Sequence, residues 1–197
     1  MNKIIKNTLI LMGITLVSGL LLGLVHEVTL EPIAEQEALA KAEAYAEVYP
    51  EAETFTVIDD TEEAAAYLVE NGFATQEINE IAEACDASGN VVGHVFNLTT
   101  PEGYGGDIQL TVGVQNDMTM LGISFLSIGE TAGLGMNADT DEWKAQFVGI
   151  QADEIVYTKS GKSADNEIDA VSSATITTKA VTGAVNAALC LAGYYAE

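Results

Sequence analysis

Residues 107–114 read DIQLTVGV, with Ile108, Leu110, Val112 and Val114 alternating with polar or small residues. Successive side chains of a strand point to opposite faces, so this period of two predicts a sheet with one face on a core. Asn116-Asp117 supplies turn residues, and residues 118–127 then return as an antiparallel neighbour. Upstream, residues 78–85 and 90–98 flank Asp86-Ala87-Ser88-Gly89, a turn signature between two strand-like runs. Downstream, residues 139–148 read as helical, with Trp143 and Phe147 four apart, and a short strand is expected at 154–157. Residues 174–191 carry Val181, Val185 and Leu189 at helical spacing, a stripe that can cover the sheet. The expected fold class is α+β: a twisted antiparallel sheet with packed helices.

This domain follows an apolar segment. Residues 8–25 (TLILMGITLVSGLLLGLV) carry no charge, and Lys3 and Lys6 precede them. At helical rise that length roughly spans a bilayer core, which predicts a single N-terminal transmembrane helix. A cleaved signal peptide starts with the same order, but its apolar core runs ~7–15 residues and a small-x-small site follows. Here VHEVTLEP follows instead. Positive charge stays on the cytoplasmic side, so the bulk of the chain is expected outside. Residues 31–48 are rich in Ala and Glu and predict a helix that continues from the membrane or hinges at Pro32. A second helix is expected from Thr61 to Glu70, ending at Asn71-Gly72. The expected division is a cytoplasmic N-terminus at 1–7, an anchor at 8–25, a helical membrane-proximal segment at 26–74 and a folded domain at 75–197.

The charge narrows the partners. The chain has 7 lysines, no arginine and 30 carboxylates, for a net charge of −23. A nucleic-acid binder needs a basic surface to displace counterions, so that class is excluded. An anionic lipid surface is equally ill-matched. The carboxylates are spread over the whole domain without calcium-loop spacing, so they read as solvating. Cys85 and Cys190 are too few and too far apart for a metal cluster, and His26 and His94 add no ligand set. No metal site and no catalytic residue are expected; whether the cysteines pair is left open by their spacing.

Three loops exceed what mere connections need. In Asp169–Thr178 (DAVSSATITT), Ser172, Ser173, Thr175, Thr177 and Thr178 crowd one helix start. A cap needs one such residue. The surplus suits an anion, because free N–H groups and the helix dipole both favour a phosphate there. Ser173 and Ala174 are small enough to let it approach. The loops Gly129–Asn137 (GETAGLGMN) and Gly103-Tyr104-Gly105-Gly106 have glycines that allow main chain to lie against a flat ligand.

These motifs resemble those of proteins bearing covalently bound FMN. Asp169–Thr177 is similar to the family pattern D-x-x-[ST]-G-A-[ST]-x-[ST], Glu130–Gly135 to its E-T-P-G-L-G segment, and Gly103–Gly106 to its G-Y-G-G turn. Over roughly residues 75–190 the order and spacing agree, with Ser173 standing where the family usually has glycine and Ala132 where it has proline. Within the family, the anchor and length look like the G subunits of Rnf complexes, the ion-translocating ferredoxin:NAD oxidoreductases. The C subunits of sodium-translocating NADH:quinone oxidoreductases are the near alternative.

The resemblance implies an electron-relaying subunit, not catalytic alone, in a membrane complex with the other Rnf subunits. It implies FMN joined by a phosphoester to Thr177, attached by a flavin transferase that uses FAD. Ser172, Ser173, Ala174 and Thr175 would surround the phosphate. Glu130, Thr131, Gly133, Leu134 and Gly135, with Tyr104, Gly105 and Gly106, would border the ring. Thr178, about 100° further around the helix, is expected to matter little. The rival from another class is an ectodomain that binds flavin reversibly without a redox role.

Overall fold

The structure, a computed structural model, describes residues 2–196. It comprises two compact units, the first ending at Lys41 and the second beginning at Ala42. The first unit belongs to helix α1 (Lys3–Val48), which runs through Pro32 without interruption. Its apolar stretch is long enough to cross a membrane and entirely exposed. Continuation, not a hinge, is therefore the outcome at Pro32; the proline removes one backbone donor while the turns on either side keep theirs.

In the second unit, five strands form one sheet in sequential order: β1 (Thr54–Ile58), β2 (Glu77–Cys85), β3 (Val91–Thr100), β4 (Ile108–Gln115) and β5 (Met120–Ile128). Every pairing is antiparallel. The fold class is α+β, as the alternation in β4 requires. Ile108, Leu110, Val112 and Val114 are all buried on one face. They share one core with Ala64 and Leu68 of α2 (Thr61–Glu70) and with Val181, Val185 and Leu189 of the C-terminal helix α4 (Thr175–Ala196). Although α4 is apolar enough to cross a membrane, most of it is buried, as suits a core helix.

The opposite face is covered too. Tyr45, Val48 and Tyr49, at and just beyond the end of α1, pack on Ala82, Ala84 and Val95. The tyrosines keep their hydroxyls paired: Tyr45 donates to Glu80 at 2.8 Å and Tyr49 to the Val92 carbonyl at 2.8 Å. A buried hydroxyl without a partner is costly, so these bonds fix the register of the packing. Lys144 adds an ion pair to Glu47 at 2.9 Å.

Two sequence expectations change. Residues 26–74 are not helical throughout, because β1 pairs with β2 and lies, with α2, in the same compact unit as the sheet. Its five residues sit at a sheet edge and none is fully buried, so no period of two is imposed on them. The stretch 139–148 is also not one helix. A 3₁₀ turn at Gly135–Asp139 leads to a single turn, α3 (Asp141–Lys144), and a further 3₁₀ turn at Ala145–Phe147. Trp143 and Phe147 still meet edge to face, their ring centres 5.1 Å apart. The strand expected at 154–157 is β6 (Val156–Thr158), paired in parallel with β7 (Glu167–Asp169), for which the sequence carries no clear strand pattern. Cys85 and Cys190 are free thiols.

Candidate functional site

Strand β7 delivers the chain to the hydroxyl-rich loop, and the backbone is held on both sides of its tip, at Asp169–Val171 and at Ala174. Gln146 Oε1 accepts from the Asp169 N–H at 2.7 Å, while Trp143 Nε1 donates to the Asp169 carbonyl at 2.8 Å. Ala170 N–H donates to the Thr158 carbonyl. Thr178 Oγ1 accepts from the Val171 N–H at 3.0 Å and donates to the Ala174 carbonyl at 3.0 Å. Trp143 and Gln146 carry no functional signal in the sequence. A buried indole must find an acceptor, but nothing in its position says which.

The tip of this loop is Ser173, exposed and left-handed with φ of 62°. The family glycine at this position thus has a backbone reason as well as a steric one. An L residue in that region costs roughly 1–2 kcal/mol. Glycine removes that cost but loses about 0.5–1 kcal/mol through unfolded-state entropy. Ser173→Gly is therefore expected to stabilise the domain by up to about 1 kcal/mol, a rise in Tm of ~2–4 °C. Differential scanning calorimetry of the two proteins checks this; an unchanged or lower Tm counts against it.

Helix α4 then begins at Thr175, one residue later than expected, with the Ala174 carbonyl accepting from the Thr178 N–H. Among the described residues, the N–H groups of Thr175, Ile176 and Thr177 have no partner, as befits the first turn of a helix. Thr177 is 1 % exposed, and its hydroxyl makes no hydrogen bond to any described residue.

That hydroxyl borders a cavity of about 570 Å³ lined by residues of all three loops. Tyr104 comes from the first, Glu130, Thr131, Leu134 and Gly135 from the second, and Ser173, Ala174, Thr175, Ile176 and Thr177 from the third. Glu130 ties two loops together: its Oε1 accepts from the Tyr104 N–H at 2.8 Å. Gly135 joins the second loop to the third. A Cβ there would stand 2.6 Å from Glu130 Oε2 and 2.7 Å from Thr177 Oγ1, so only glycine admits the approach. Tyr104, Leu134 and Ile176 present exposed apolar surface around it.

Four expected residues do not line this cavity. Ser172 lies on the far side of the loop, in a separate depression with Trp143 and Asp169. The left-handed turn at Ser173 reverses the chain between them. Gly105 packs against the Gly129 carbonyl, and Gly106 and Gly133 shape turns. Around Gly133, the Leu134 N–H donates to the Thr131 carbonyl and only Gly133 has positive φ, at 75°. This is a type II turn, with Ala132 at the position where proline is favoured. Ile176 escapes a reading of the sequence because an apolar residue in an apolar helix carries no distinguishing signal.

Residues 103–190 match the FMN-binding domain family, and residues 1–48 match the RnfG N-terminal region. The chain is 34 % identical to the G subunit of the Na(+)-translocating ferredoxin:NAD(+) oxidoreductase complex of Acetobacterium woodii, over 93 % of this chain and 88 % of that one. It is 30 % identical to the G subunit of the ion-translocating oxidoreductase complex of Methanosarcina acetivorans, over 95 % and 94 % respectively. The crystal structure of Shewanella oneidensis NqrC aligns with a TM-score of 0.47 at 25 % identity, over 59 % of this chain and 58 % of that one.

Proposed function

The chain belongs to the family of G subunits of ion-translocating oxidoreductase complexes, and from that premise we propose that it relays electrons through FMN esterified to Thr177. The observation that carries the reading is the setting of Thr177 Oγ1: free of hydrogen bonds to any described residue, in the first turn of α4, on the cavity where three loops converge.

The residues suit the group at both ends. The free N–H groups of Thr175, Ile176 and Thr177 and the dipole of α4 favour a phosphate on the Thr177 oxygen. The exposed surfaces of Tyr104, Leu134 and Ile176 offer apolar contact to a flat ring. FMN, when bound, supplies reversible uptake and release of electrons; the protein places it and sets its surroundings. A covalent link holds the cofactor at any free concentration, whereas reversible retention depends on free ligand. Flavin fluorescence of the denatured full chain, made with and without a flavin transferase, tests the reading. A fluorescent band that depends on the transferase supports it; a chain that never retains flavin after denaturation overturns the covalent link.

The lysines before the apolar stretch support a topology for this reading. The anchor is retained with Lys3 and Lys6 in the cytoplasm, and the domain faces outward among the other membrane subunits of the complex. Protease added to intact cells is expected to digest the domain and spare the N-terminus. Protection in intact cells, or a mature protein beginning beyond Val25, counts against this orientation.

A further inference from the structure

We propose that Glu130 sets the reduction potential of the flavin in this cavity, holding it low through a buried negative charge; the inference rests on the cavity being the FMN site. The chain has 30 carboxylates, and among the described residues Glu130 is the one that is buried, at 8 % exposure. It lies on the cavity wall. No lysine pairs with it among the described residues. The exposed acids are screened by salt beyond about 8 Å at physiological ionic strength. A carboxylate removed from water interacts through a lower effective dielectric and is screened much less.

The geometry aims that charge at the ligand. One oxygen is latched by the Tyr104 N–H at 2.8 Å. The other faces Gly135, across which lies Thr177 Oγ1. The carboxylate is therefore fixed between the Tyr104 backbone and Gly135, on the same cavity wall as Thr177. At neutral pH, two-electron reduction of a flavin takes up one proton and leaves one added negative charge on the ring. Glu130 opposes that charge and favours the oxidised form.

Glu130→Gln isolates the effect. The amide keeps the side chain's size and retains a carbonyl for the Tyr104 N–H, while the charge is lost. The full chain, loaded by a flavin transferase, is titrated spectroelectrochemically alongside the same variant and Glu142→Gln, an exposed carboxylate outside the cavity. The Glu130→Gln midpoint is expected to move positive and the shift to persist in high salt, with Glu142→Gln matching the wild type. Equal midpoints for the wild type and Glu130→Gln overturn the proposal. If Glu130→Gln does not load, chains made without the transferase are titrated with oxidised FMN and with dithionite-reduced FMN. The ratio of reduced to oxidised Kd is then expected to fall several-fold in Glu130→Gln, and an unchanged ratio overturns the proposal. Flavin that binds with an unaltered potential removes only the role of Glu130, whereas a wild-type chain that takes no flavin at all removes the cavity reading as well.

Discussion

Thr177→Ala is expected to abolish covalently held flavin while leaving the domain folded. The substitution deletes a hydroxyl and a methyl group, and the hydroxyl makes no hydrogen bond to any described residue, so no buried partner is orphaned. The cost to stability is about 1 kcal/mol, the scale of one buried methyl. Thr177→Ser, which keeps the hydroxyl, is expected to retain attachment. Thr175→Ala should lower loading without eliminating it, because Thr175 lines the cavity at the first position of α4 but is half exposed. Trypsin cuts after Lys162 and Lys179, releasing one peptide that contains all five hydroxyl residues of the loop. Fragmentation of that peptide by mass spectrometry locates the added FMN. Its appearance on Thr175 or Thr178, or its persistence in Thr177→Ala, would sink the assignment.

The parts of the fold legible in the sequence are those where burial leaves a periodic mark. In β4 the apolar set faces one core, while Thr111 and Gly113 on the other face are also buried. The period of two survives because that second face is lined by small or hydrogen-bonded residues, not large apolar ones. β1 carries no such mark because the edge buries little of it. In the site, the three glycine- and hydroxyl-rich loops are legible as one pocket, because residues of all three line one cavity. Which side of the chain each residue takes is not legible. Ser172 and Ser173 are adjacent, yet the left-handed turn at Ser173 sends them to different depressions. The latch from Tyr104 to Glu130 spans 26 residues, and no local pattern encodes a pairing at that separation. The grip of Trp143 and Gln146 on Asp169 has the same character.

Thr178→Ala is expected to destabilise the domain by about 1.5–4.5 kcal/mol, although position along the motif alone suggests that Thr178 matters little. The residue is fully buried. Its Oγ1 accepts from the Val171 N–H and donates to the Ala174 carbonyl, closing the loop onto the first turn of α4. Ala174's carbonyl keeps a second partner in the Thr178 N–H, so it survives the loss. The Val171 N–H has no replacement, and an orphaned buried donor costs about 1–3 kcal/mol. The missing methyl adds roughly another 0.5–1.5 kcal/mol, as in other single-methyl deletions from cores. Two further substitutions separate these effects. Thr178→Ser keeps both hydrogen bonds and is expected to cost only the methyl. Thr178→Val keeps the methyl but loses the bonds, so it is expected to cost the orphaned donor alone, less than alanine by the share of the methyl. Urea unfolding of the detergent-solubilised full chain reads the stabilities, and denatured-gel fluorescence reads flavin loading. Loading should fall in Thr178→Ala and Thr178→Val, because a loop freed at Val171 no longer holds Ser173 and Ala174 against the cavity. If Thr178→Val proves as stable as the wild type and loads flavin equally, the hydroxyl of Thr178 does not hold the attachment loop.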